Sequence, residues 1–215
     1  AKVWEAETGR ILFKLTGHPY TVEYAAFSPD GKKIVSSSSA DRAPAKLWDA
    51  TNGHLLVDLP GHERQVYYIQ FSPDSKTFLT SSWDPVSKLW ETATGKLLMT
   101  MPSHIYWETK SNLYSPDGNK VVMATADFGV DVWDIVNKEK FLQLKGHSLL
   151  VTSAEFSPNG KYILTASKDF TSRIWNAVTG EEILMFVSLD STESLVKLPS
   201  GYYQCTPAAA KQLHY

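Results

Sequence analysis

A tryptophan that follows an aliphatic residue returns at Val3-Trp4, Leu47-Trp48, Leu89-Trp90, Val132-Trp133 and Ile174-Trp175, in steps of 44, 42, 43 and 42 residues. Self-similarity at such a period means a stack of supersecondary units, each too small to bury its apolar face alone. A second marker keeps the same beat: Gly17-His18, Gly61-His62, Ser103-His104 and Gly146-His147. A third is the turn Phe27-Ser28-Pro29-Asp30-Gly31, which recurs as Phe71-Ser72-Pro73-Asp74-Ser75, Tyr114-Ser115-Pro116-Asp117-Gly118 and Phe156-Ser157-Pro158-Asn159-Gly160.

Each unit holds four short runs rich in Val, Ile, Thr, Tyr and Phe, which reads as strands rather than helices. In the last full unit these are Val151 to Phe156, Tyr162 to Ser167, Thr171 to Trp175 and Glu182 to Val187. Ser-Pro-Asp-Gly supplies the first hairpin, since Pro pre-sets φ, Asp bonds its local backbone and Gly accepts a positive φ. Thr8-Gly9, Asn52-Gly53, Thr94-Gly95 and Thr179-Gly180 supply the hairpin between third and fourth strands, and Asn137-Lys138 fills that place in the third unit. The fold class is therefore all-β, in up-and-down antiparallel sheets of four strands.

These features resemble the WD-repeat family, and the resemblance covers nearly the whole chain. It implies a β-propeller whose four-stranded antiparallel blades stand radially around a channel. The expected layout is one domain over 1–215. It has a partial blade at 1–16, full repeats at 17–60, 61–102, 103–145 and 146–188, and a partial blade with a tail at 189–215. Within that tail, Leu195 to Leu198 and Tyr202 to Cys205 read as the first two strands of another blade, while residues 1–16 supply only a third and a fourth strand. Two readings stand: the halves close one split blade in a ring of five, or the chain is a truncated part of a larger ring. The tail from Leu195 to Pro207 is also similar to the segment that ends the propeller in large bacterial multidomain WD-repeat proteins, some with caspase-like peptidase domains. The chain opens at Ala1 inside a repeat, which leaves processing, an engineered boundary and a fragment equally open.

His and Asp recur with the blades: His18 and Asp41, His62 and Asp84, His104 and Asp127, His147 and Asp169. With a nearby hydroxyl they have the composition of a hydrolase triad. Repetition in every blade instead fits a scaffold, because catalysis needs one distinctive centre. The resemblance implies that each Asp accepts from its His, that the His bonds a strand hydroxyl, and that this hydroxyl bonds the indole of Trp48, Trp90, Trp133 or Trp175. Hydroxyl candidates lie two or four residues before the Asp: Ser37 and Ser39, Thr80 and Ser82, Thr125, and Thr165 and Ser167. Unit three has Met123 at the farther position, so either Thr125 serves or that network is incomplete.

Twenty-one basic against 23 acidic residues, a net charge of −2, leave no broad basic field for nucleic acid or anionic lipid. The longest apolar run, Ile183 to Val187, is far below the roughly 20 residues a bilayer requires. Cys205 is the lone cysteine, so no internal disulfide forms and a reducing, cytoplasmic setting is expected. Gly-Lys pairs at Gly31, Gly95 and Gly160 lack the Ser or Thr of a phosphate loop. His62-Glu63 lacks the second His of a zinc helix, so no metal and no cofactor are expected. Gln204-Cys205 lacks the Gly that follows a caspase nucleophile, so no catalytic residue is assigned and the chain is expected not to be an enzyme.

Trp83 and Trp107 are the two tryptophans the repeat does not explain. Trp83 precedes the turn residue Asp84, and Trp107 lies at the entrance to the first strand of its unit. Tyr20, Arg64 and Tyr106 hold comparable entrance positions, and Arg42, Phe128 and Phe170 follow turn aspartates. Aromatic and Arg side chains dominate binding hot spots, so these eight are the candidate contacts for a protein or peptide partner. The expected function is a protein-protein interaction scaffold that performs no catalysis. The alternative is the regulatory or specificity propeller of a larger bacterial multidomain enzyme such as a caspase-like peptidase. Oligomeric state and partner identity are not legible in the residues.

Overall fold

Serine hydroxyls close the first hairpin of every repeat. Ser28 Oγ accepts the Lys33 amide at 2.9 Å and donates to Asp30 Oδ1 at 2.6 Å, and the Gly31 amide returns to Ser28 O at 2.8 Å. Ser72 with Asp74, Ser115 with Asp117 and Ser157 with Asn159 repeat the pattern. Ser75 at φ 62° and Lys138 at φ 60° adopt the left-handed conformation that glycine takes at the matching turns of other repeats.

The computed structural model describes residues 1–39, 41–42, 44–102, 112–188 and 194–205. All regular structure among them is strand, and the chain divides into two compact units, Ala1–Ser103 and His104–Tyr215. The first unit opens with a two-stranded sheet, β1 (Lys2–Trp4) and β2 (Ile11–Lys14). Two antiparallel meanders follow. One comprises β3 (Val22–Phe27), β4 (Lys33–Ser38), β5 (Ala45–Asp49) and β6 (Leu55–Leu59). The other comprises β7 (Val66–Phe71), β8 (Thr77–Ser82), β9 (Val86–Glu91) and β10 (Leu97–Pro102). In the second unit β11 (Asn112–Tyr114), β12 (Lys120–Ala124), β13 (Val130–Asp134) and β14 (Glu139–Leu144) form one sheet. The last sheet holds six strands in sequence order: β15 (Val151–Phe156), β16 (Tyr162–Ser167), β17 (Thr171–Asn176), β18 (Glu182–Ser188), β19 (Ser194–Lys197) and β20 (Tyr203–Cys205).

Successive residues of a strand point to opposite faces, and this explains the aliphatic-tryptophan pair. Trp48 is buried with Leu15 and Ile34 and packs with Val3 and Phe13 of the preceding two-stranded sheet. Its neighbour Leu47 is buried on the other face, in the cluster that includes Phe71, Phe78 and Trp90 of the following sheet. The second unit repeats the device, with Val122, Val132 and Leu144 of one sheet against Ile163, Trp175 and Ala154 of the next. In the first repeat, one apolar pair thus fills two inter-sheet layers. The last sheet departs from this. Leu164 holds the register position of Val122 and Val35, both fully buried, yet is 39% exposed, because no sheet covers that face among the described residues.

The tail strands differ from the sequence expectation. β19 does not open a new blade: it pairs antiparallel with β18 along Met185↔Lys197 to Ser188↔Ser194, and β20 pairs with β19. The reason is the outer edge of β18, whose free N–H and C=O groups accept a strand directly. β1 and β2 stand as a sheet of two.

Candidate binding site on the turn end of the blades

In the second and fourth repeats a chain of hydrogen bonds runs from indole to carboxylate. Trp90 Nε1 donates to Thr80 Oγ1 at 2.8 Å, Thr80 donates to His62 Nε2 at 2.8 Å, and His62 Nδ1 donates to Asp84 Oδ2 at 3.0 Å. The matching bonds of Trp175, Thr165, His147 and Asp169 measure 2.9, 2.7 and 2.9 Å. Every donor finds an acceptor only with a neutral imidazole protonated at Nδ1. The constellation has triad composition, but Thr80 and Thr165 are fully buried and each hydroxyl already holds its indole, leaving no approach for a substrate. The same carboxylates stitch the blade entrance to the turn, since the Glu63 amide donates to Asp84 at 2.9 Å and the Ser148 amide to Asp169 at 3.0 Å. Ser82 Oγ donates to Arg64 O at 2.8 Å and Ser167 Oγ to Leu149 O at 3.0 Å, which fastens both segments at one end of each sheet.

The other repeats depart from expectation. In the first, the hydroxyl is Ser36, which His18 Nε2 meets at 2.7 Å and Trp48 Nε1 at 2.8 Å; it is neither Ser37 nor Ser39. Counting back from Asp41 fails because the turn there is longer, whereas the step of 18 residues from His to hydroxyl holds for His18, His62 and His147. Asp41 does not reach His18: it is exposed and accepts the Gln65 amide at 3.2 Å, while His18 Nδ1 is buried with no partner among the described residues. In the third repeat Thr125 donates to Asp127, which also accepts Gln143 at 3.2 Å. Met123 stands where the others carry the hydroxyl, so Trp133 Nε1 has no partner among the described residues. His104 lies outside the described residues.

Burial pushes the His62 and His147 imidazoles below their ordinary range despite the adjacent carboxylates. Burial, with Lys46 nearby, pushes His18 down to about 4. Burial by itself would raise Asp169, but hydrogen bonds from Thr171, His147 and two backbone amides outweigh it and hold the carboxyl below the usual range. Unfolded imidazoles protonate near pH ~6.5 while the folded ones resist, so the unfolded state binds more protons and stability falls as pH drops from about 6.5 toward 4. Asp169 acts in the same sense at still lower pH, where its protonation removes stability present above about pH 4. The melting temperature is expected to be level above about pH 7 and to decline steadily below about 6.5. A level profile down to about pH 4.5 would contradict the neutral-imidazole networks.

Family comparison matches residues 9–43, 53–91 and 138–176 to WD40 (WD domain, G-beta repeat), just over half of the chain. The chain belongs to the WD-repeat family. No curated protein matches it. WD repeats generally mediate protein-protein interaction and are typically non-catalytic, and the four-stranded sheets described above are blades of the β-propeller kind.

The WD turn end of the first unit displays Tyr20, Arg42, Arg64 and Trp83, all exposed. Arg42 Nε pairs with Glu63 at 3.2 Å, an exposed pair worth little by itself. Trp83 is 41% exposed and rests edge-on against Tyr67, with ring centroids 6.1 Å apart. Tyr67 was not legible as part of this surface. It sits where the β7 register slips between Val66 and Tyr68, and such a bulge re-aims a side chain. Its hydroxyl is buried with no partner among the described residues, and burial with Asp84 nearby pushes its pKa up. In the second unit Phe128 and Phe170 are exposed, Phe170 at 75%. Both have φ 64°, and Arg42 has φ 58°. A bulky residue there stores about 1–3 kcal/mol of backbone strain, the kind of outlier that points to a functional constraint. Pro85 cannot take a positive φ, so the second repeat shows its large side chain, Trp83, before the Asp rather than after it. Tyr106 and Trp107 lie outside the described residues.

Proposed function

We propose that the turn end of these WD blades binds a protein or extended peptide in the cytoplasm, without catalysis by this chain. The observation that carries the reading is the pair Trp83 and Tyr67: a half-exposed indole braced by a ring whose buried hydroxyl lacks a partner among the described residues. A partner side chain laid on the indole gains apolar contact with a ring that Tyr67 holds in place. Tyr20 and Arg64, exposed at entrance positions of the same unit, are further candidate contacts, and Phe128 and Phe170 are those of the second unit. In an affinity pull-down, Trp83→Ala is expected to weaken recovery of the principal partner about 30-fold, the effect of a ~2 kcal/mol hot spot. Thermal stability should barely change, because Trp83 lies outside the core. Equal recovery from parent and variant would remove this surface as the binding site.

The resemblance of residues 195–207 to bacterial multidomain proteins supports a second reading, in which the same surface selects substrates for an attached enzyme such as a caspase-like peptidase. Mass spectrometry of the intact polypeptide from its source would decide, since this reading requires a catalytic domain on the same chain.

A further inference from the structure

The four outer strands are not alike. β6 carries Asp58, β10 carries Thr100 and ends on Pro102, and β14 carries Glu139, Lys140 and Gln143. Charges and prolines of this kind keep an exposed edge from pairing with a neighbouring molecule. β18 has no such protection from Ile183 through Val187, five apolar residues in an uninterrupted row, the composition that most readily extends a sheet between molecules. It is also the outer strand that receives a further strand: β19 pairs along it, and β20 pairs along β19.

The added hairpin is held lightly and ends in a poor edge. Leu195 is its buried side chain among those described, at 8% exposure, whereas Tyr202 and Tyr203 are exposed. Its turn is closed by the Leu198 amide on Tyr202 O at 2.8 Å and by Gly201 in a left-handed conformation at φ 88°. Burial this slight cannot hold a hairpin by itself, so its attachment rests on the ladder to β18. The result replaces a seven-residue edge with five consecutive apolar positions by one of three residues behind Lys197. Short strands and lysine are devices that blunt sheet edges.

We infer that β19–β20 guards the outer edge of β18, and that the occupant it keeps off is β18 of a second copy of this chain. β18 already accepts an antiparallel strand, and two β18 strands related by a two-fold axis present that same pairing to each other. A second copy brings the identical unprotected row whenever its own guard is released. The inference does not depend on the turn-end binding surface, which lies on other residues.

The test uses the full-length chain with Leu195→Asp and Val196→Pro, which removes the buried anchor and one ladder N–H, with hydrogen exchange of β18 amides reporting release. The expected result is faster exchange in dilute solution and a concentration-dependent doubling of mass relative to the parent chain in sedimentation equilibrium. Adding Phe186→Lys, an exposed position on β18, should return the mass to that of the parent. If the double variant is unfolded when dilute, Val196→Pro alone provides the same comparison. The inference is overturned if released chains keep the parent mass at all concentrations, or if the Phe186→Lys form associates equally. It is also overturned if Val196→Pro abolishes cooperative unfolding, which would make the hairpin part of the blade's core.

Discussion

Ile163→Ala is expected to lower the unfolding free energy by about 2–5 kcal/mol, while Leu164→Ala, one residue on, costs less than about 1 kcal/mol. Ile163 is fully buried in the layer with Val122, Val132 and Trp175, so truncation removes apolar contact and leaves a cavity that stiff strands on both sides cannot close. Leu164 points to the opposite face, half in water. Urea unfolding of the two variants measures the difference directly. Similar losses from both would mean that the outer face of the last sheet is covered, contrary to the exposure seen here.

The second large effect falls on the polar chain. His147→Ala should cost about 1–3 kcal/mol, because it strands the Thr165 hydroxyl and one edge of the Asp169 carboxylate inside the blade. The repeats supply their own control. Trp175→Phe breaks a made hydrogen bond to Thr165 at 2.9 Å, whereas Trp133→Phe deletes an N–H that has no partner among the described residues. The first substitution is therefore expected to lower the melting temperature more than the second. The reverse order would show that the indole bond contributes nothing to blade stability.

Turn chemistry and period were readable because they are local. Ser-Pro-Asp-Gly bonds its own backbone within six residues, and the hairpins after Thr-Gly or Asn-Gly follow from φ alone, so the strands could be placed from sequence. The polar network was readable in part. His62 with Asp84 and His147 with Asp169 sit at the spacing the repeat implies, but two residues of extra chain between Ser36 and Trp48 broke the count in the first repeat. The step from His to hydroxyl is 18 residues for His18, His62 and His147, so in these repeats the count from the His holds where the count from the Asp does not. Met123 correctly marked the third repeat as the one able to lack the network. The binding surface was legible as a set of unexplained aromatic residues, but Tyr67, hidden at a bulge, was not.

By itself the sequence determined that this chain makes antiparallel sheets of four short strands, because a repeated apolar pair and repeated turns admit few other arrangements. Only the tertiary structure decided which face each apolar residue meets, as Ile163 and Leu164 show, and that the last two strands join an existing sheet. Burial and edge pairing depend on what lies across a gap of several ångströms, and neighbours in space leave no mark in the order of residues along the chain.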